Sequence, residues 1–398
     1  MSTMCAAFGA FAITFSGLAP SAVAADVQSK QWYLDAMDAS GMWKLSTGEG
    51  VKVAVIDSGV NPATPSLKGQ VLVNEVPKAV AYHATRDFNS HGTSMAELIA
   101  GTGAGGGLKG LAPGAKIVPY RVQGEGMKGE ELTKSASVAQ AVRAAADTDV
   151  KIINMSLGSP YTYPGEEEAI KYAYSKGKLL VAAVGNEGEK KNPISYPAAY
   201  PYVVGVAAAD ENGKVGKFSQ HGNYIDLASP GLDVPTWCDT KFRSYCDGEG
   251  TSMASAITSA SAALIWSAHP NWTANQVLRT LIDTAGRDWP KDRPSNYLGY
   301  GLIRPKRVVT NSSINPGPPN TDPLSSENGP GALVSSASPS APASSQAPKN
   351  PSGGADAAAV STSNSSDGNT QLYVILGAVL VVAIVGGAFA VARKRRTA

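Results

Sequence analysis

Cysteine and histidine are scarce in this chain, with 3 Cys and 4 His among 398 residues. It has neither a C-x-x-C pair nor an H-E-x-x-H segment, so no metal or other cofactor is expected. Charge is also sparse and almost balanced, 34 Lys and Arg against 32 Asp and Glu, with no basic cluster in the body of the chain. A nucleic-acid partner is therefore not expected. No Lys or Arg precedes Lys30, so the apolar residues 1–25 lack the usual positive start of a leader. They still end in Ala22-Val23-Ala24-Ala25 and read as a secretory signal peptide.

Residues 311–371 have few large apolar side chains and are rich in Ser, Pro, Gly, Ala and Asn. Such a composition cannot bury enough surface to fold and reads as a flexible stalk. Residues 372–392 form an uninterrupted apolar run, long enough to span a hydrocarbon core of about 30 Å. Arg393-Lys394-Arg395-Arg396 follows, so residues 393–398 are expected in the cytoplasm and the rest outside, with the membrane as one partner. Cys5 falls in the leader, leaving Cys238 and Cys246. In an exported protein this close pair is expected to form a disulfide worth about 2 to 3 kcal/mol, with two free thiols as the alternative.

Between residues 51 and 310, short apolar runs alternate with helical patterns. Strands are predicted at 51–56, 116–121, 152–156, 179–184, 203–207 and 225–228, and helices at 91–100, 132–146, 166–176, 252–267 and 273–284. The alternation predicts an α/β domain, a mostly parallel sheet with helices on both faces and catalytic groups at the strands' carboxyl ends. Gly101, Gly103 and Gly106 fit G-x-G-x-x-G but follow a helical pattern, so they read as a loop rather than a dinucleotide site. Glu166-Glu167-Glu168 reads as a charged helix start.

Three short motifs point to chemistry. Asp57 ends the run Val53-Ala54-Val55-Ile56, His91 opens His91-Gly92-Thr93, and Ser252 lies within Gly250-Thr251-Ser252-Met253-Ala254 at the start of a helical pattern. A serine hydroxyl needs a base in reach and a third group to orient that base, and a helix start offers free N–H groups to an oxyanion. In this order and context the three motifs resemble the subtilisin-like serine proteases, or subtilases. The resemblance implies the three-layer subtilisin-like fold over about two thirds of the chain, with Asp57, His91 and Ser252 as the catalytic triad. It implies Asn186, in Val184-Gly185-Asn186-Glu187-Gly188, and the Ser252 N–H as the oxyanion hole. Ser156, Leu157 and Gly158 would pair with substrate backbone and, with Ala183 and Gly185, wall the specificity pocket.

An exported Asp-His-Ser domain with a C-terminal transmembrane helix and a short basic tail is similar to the mycosins, membrane-anchored subtilases of type VII secretion. That implies a polypeptide substrate and secretion-complex membrane proteins as partners. A scaffold with a dispensable active site and a general cell-surface protease are the competing readings. Two positions depart from the family pattern: Ala256 where Pro is common, and Glu97 where Gly is common. Glu97 is expected to raise the His91 pKa. Residues 26–50 are too short for an independently folding prodomain, which needs about 40 residues. With Trp32, Leu34, Met37, Met42, Trp43 and Leu45, this segment is expected to pack permanently on the domain.

Overall fold

The computed structural model describes residues 24–326 except Glu125. The predicted leader cleavage site lies at its edge. The predicted membrane span, the basic tail and nearly all of the stalk lie outside the described residues, among which no helix is long and apolar enough to cross a membrane.

Six strands, β1 (Lys52–Asp57), β2 (Lys116–Arg121), β3 (Ile152–Met155), β4 (Leu179–Ala183), β5 (Val203–Ala209) and β6 (Leu227–Pro230), form one sheet in the order β2-β1-β3-β4-β5-β6. Every pairing in it is parallel. Buried on both faces, these strands are apolar throughout, and alternate residues serve opposite layers. Val53 and Val55 join one core cluster, Ala54 and Ile56 the other. The chain leaves β1 toward β2 on one side and returns to β3 on the other. The crevice at the carboxyl ends of β1 and β3 is therefore the topological switch point, where α/β folds place ligands.

Three short helices, α1 (Ala24–Ser29), α2 (Trp32–Ala36) and α3 (Ala39–Met42), precede the sheet. Tyr33 and Met42 are fully buried in the first core cluster, and Trp32 Nε1 donates to Leu232 O at 3.0 Å. Leu45 departs from the expectation for this segment and is exposed.

The same face of the sheet carries α4 (His91–Ala100). On the other face lie α6 (Val138–Ala146) and α7 (Glu166–Ser175), preceded in the chain by the short α5 (Gly129–Lys134). The helix predicted at 132–146 is two helices. Gln123 N donates to Ala136 O at 2.9 Å, and this strand-like pairing interrupts the helix until Ser137 restarts it with a capping box to Gln140. Glu166 is not a solvated charge at a helix start. It is buried, and burial pushes its carboxyl up to about 7, against the Tyr200 hydroxyl bond.

A hairpin of β7 (Val234–Trp237) and β8 (Tyr245–Gly248), absent from the sequence reading, carries the Cys238–Cys246 disulfide and leads into α8 (Thr251–Ala268). All but the last two residues of α8 are buried, and its run of Ala, Ser and Thr lets it pack closely under the sheet. It is followed by α9 (Ala274–Thr284) and α10 (Lys306–Val309). The glycine-rich segment after α4 is a loop with one 3-10 turn, Ala104–Gly106, that leads to strand β2.

Candidate active site

Asp57, at the carboxyl end of β1, is buried, and its Oδ1 accepts from Ser58 N at 2.7 Å. His91 Nδ1 lies 2.8 Å from Asp57 Oδ1 and 3.0 Å from Oδ2. A proton on Nδ1 leaves Nε2 as the free base. The approach depends on Gly92, since a Cβ there would collide with Gly59 O and come within 3.0 Å of the Asp57 Cβ.

The His91 helix is anchored by Asp87, which carries no motif of its own. Its Oδ1 accepts from Ser58 Oγ at 2.8 Å, Asn89 N at 3.1 Å and Ser90 N at 2.9 Å. Its Oδ2 accepts from Thr93 N at 2.8 Å and Thr93 Oγ1 at 2.6 Å. These bonds hold Ser90 at φ 69°, a left-handed conformation unusual for a non-glycine residue, at the turn into the helix. Burial pushes the Asp87 carboxyl up, against the bonds from Thr93 and Ser58.

Ser252 is the second residue of α8, so its N–H has no acceptor within the helix. Its Oγ donates to Ser156 O at 3.3 Å and makes no described bond to His91. Ser156 is buried, and its hydroxyl donates to Ser252 O at 2.9 Å while receiving the Asn154 amide at 2.9 Å. The Ser156 side chain thus braces the α8 start. Leu157 and Gly158 are half-buried beyond it, Gly185 is half-buried and Ala183 is buried in β4.

Asn186 is exposed at the rim. Its Oδ1 accepts from Thr251 N at 3.0 Å and Thr251 Oγ1 at 2.9 Å. Because a backbone N–H can only donate, these contacts fix the amide orientation and leave Nδ2 as a donor at the α8 N-terminus.

A model of the Subtilase family matches residues 48–301. The chain belongs to the subtilase family. It is 35% identical over 277 residues to Subtilisin Savinase of Lederbergia lenta, covering 69% of this chain and 97% of that protein. It is 33% identical over 293 residues to Minor extracellular protease Epr of Bacillus subtilis (strain 168), covering 71% of this chain and 42% of Epr. Among solved structures, MycP3 protease from the type VII (ESX-3) secretion system aligns at TM-score 0.57 and 28% identity, covering 74% of this chain and 90% of that one. Subtilases are serine endopeptidases, and the chain is one by class.

In this subtilase Glu97 does not act on His91 as expected. It lies on another face of α4, fully buried, where Thr64 Oγ1 donates to it at 2.7 Å and Tyr245 Oη at 2.8 Å. Burial pushes its carboxyl up to about 7, against those hydrogen bonds. The second carboxylate acting on His91 is Asp87. Burial alone draws the His91 pKa down, but the Asp57 charge and hydrogen bond, with the Asp87 charge, outweigh it and leave it raised above 6.5. Ala256 sits fully buried in α8 without disturbing the helix. The other histidines take no part: His83 pairs with Glu131 at 3.2 Å, His221 stacks on Tyr297 and His269 on Trp272.

Proposed function

We propose that this subtilase is a membrane-anchored, extracytoplasmic endopeptidase that cleaves peptide bonds through an acyl-enzyme on Ser252, and that it acts in a mycosin-like role in type VII secretion. The observation that carries the catalytic part is the Asp57–His91 pair at the carboxyl end of β1, with bonds of 2.8 and 3.0 Å. Rotation of the Ser252 hydroxyl from Ser156 O to His91 Nε2 gives the imidazole the proton as Oγ attacks the carbonyl carbon. The negative oxygen that forms is met by the Ser252 N–H and Asn186 Nδ2, donors already oriented before reaction. His91 then returns the proton to the leaving amine, and water repeats the sequence on the ester. Asp57 holds the tautomer and balances the imidazolium without taking the proton.

The anchor, leader and stalk readings rest on residues 372–392, 1–25 and 311–371, and the secretion role on the likeness to MycP proteases together with that architecture. A fluorophosphonate should label the wild-type protein and not Ser252→Ala. Absence of label from both would instead favour a scaffold that keeps a dead site. Protease added to intact cells should release the catalytic domain by cutting within residues 311–371, and protection until lysis would reverse the orientation.

A further inference from the structure

At the carboxyl ends of β1 and β2, beside the triad but touching neither His91 nor Ser252, lies a cavity of about 1000 Å³. It is as large as a ligand site and has room for a stretch of extended peptide. Arg121, the register partner of Asp57, closes its floor. Its guanidinium is 98% buried, sits 5.5 Å over the Phe88 ring, and meets Glu131 Oε2 at 2.6 Å through Nη2. Among the described residues, neither Nε nor Nη1 has an acceptor.

A buried guanidinium with idle N–H groups is costly, and its planar fork matches a carboxylate. The local charges leave room for one. Glu131 is shared with Arg86 at 3.4 Å, and Lys128 also lines the cavity. Asp87, the other acid among the described residues at the wall, is already committed to five donors.

We propose that this cavity is a subsite for an acidic side chain of the substrate, with Arg121 as the specificity-determining residue. The inference rests on the peptidase reading for the nature of its ligand. Phe88 and Phe242 flank the aliphatic stem of a bound Glu or Asp, and its carboxylate completes the arrangement of two arginines and one glutamate.

The test is a peptide series of fixed sequence in which Gln at each position in turn is replaced by Glu, measured as kcat/KM with wild type and as binding to Ser252→Ala. One position should favour Glu over Gln by about 10-fold in both readouts, or about 1.4 kcal/mol. In Arg121→Met that ratio should fall to within about 2-fold of unity, the size of the change expected when a charge-assisted bond is lost. In Glu131→Gln, which removes the competing carboxylate and serves if Arg121→Met does not fold, the ratio should rise. No preferred position in either readout, or a preference unchanged in both variants, overturns the proposal. If no peptide is cleaved but the Glu peptide still binds Ser252→Ala more tightly, the peptidase reading fails and the subsite stands.

Discussion

Asp87 holds the turn into α4 with one buried carboxylate that accepts from Ser58, Asn89, Ser90 and Thr93, whereas the start of α8 is held by neutral groups. On the α8 side Ser156 Oγ donates to Ser252 O, Ser255 Oγ donates to the same carbonyl at 2.9 Å, and Ser259 Oγ donates to Asn154 Oδ1 at 2.9 Å. Where one ionisable group serves many donors, its removal leaves all of them unsatisfied together. Where several small hydroxyls share the bonds among them, a single loss stays local. The acid–base half should therefore be sensitive to charge and pH, and the nucleophile half should tolerate polar changes while resisting changes of volume.

The largest effect expected is in chemistry without stability. Ser252→Ala should reduce turnover by at least about 10⁴-fold, because it removes the proposed nucleophile. Only the 3.3 Å bond to Ser156 is lost with it, so the melting temperature should stay within a few degrees of wild type. A variant that keeps substantial activity, or one that unfolds, would break the contrast from the α8 side.

Asp87→Ala should do the reverse, lowering unfolding free energy by about 3 kcal/mol or more as its donors lose their acceptor. Ser259→Ala, measured by the same denaturant titration, should cost about 1 kcal/mol. Equal losses would mean that the two halves are held alike.

Asn186→Ala should lower kcat by about 10²- to 10³-fold, the size that loss of one oxyanion donor has in subtilisin, with KM little changed. A defect confined to KM would place the amide in ground-state binding.

A further contrast is in pH dependence, and it separates the buried acids from the histidine. Glu97 and Glu166 are both raised by burial from 4.5 to about 7. The folded state keeps protons that the unfolded chain has released, so stability falls as pH rises between about 4.5 and 7, by on the order of 3 kcal/mol for each group. Glu97→Gln and Glu166→Gln should each flatten that slope in melting curves, and a slope unchanged in both would show that neither acid is protonated in the fold. For His91 the raised pKa moves the acid limb of kcat/KM above pH 6.5, since the base is lost as pH falls through it. An acid limb below that value would mean that burial outweighs the carboxylates.

The strands of the main sheet and the three motif residues were legible because each has a local signature: an apolar run, or a histidine or serine at a helix start beside small residues. Asp87 had none. Its role comes from donors spread between Ser58 and Thr93, and only the folded turn brings them to one carboxylate. Glu97 was visible as a departure, but its partners Thr64 and Tyr245 lie far off in the chain, and only the fold shows that it bonds to them and not to His91. The break between α5 and α6 was hidden for a different reason. Residues 132–146 suit a helix throughout, and a tertiary pairing of Ala136 with Gln123 overrides that preference. The hairpin escaped notice because its strands are four residues each and contain Pro235 and Gly248.

During synthesis residues 24–50 are made before the sheet, yet several groups they bind come late in the domain. Trp32 bonds to Leu232, Ser46 to Leu264, Glu49 to Ser267 and Asp38 to Lys306. Such separations slow folding, because the chain must close long loops before the contacts can form. A nascent chain that stops short of α8 has neither Ser252 nor the groups that Ser46, Glu49 and Asp38 bind. The order of translation thus delays a finished fold, and with it a working protease, until nearly the whole domain has been made.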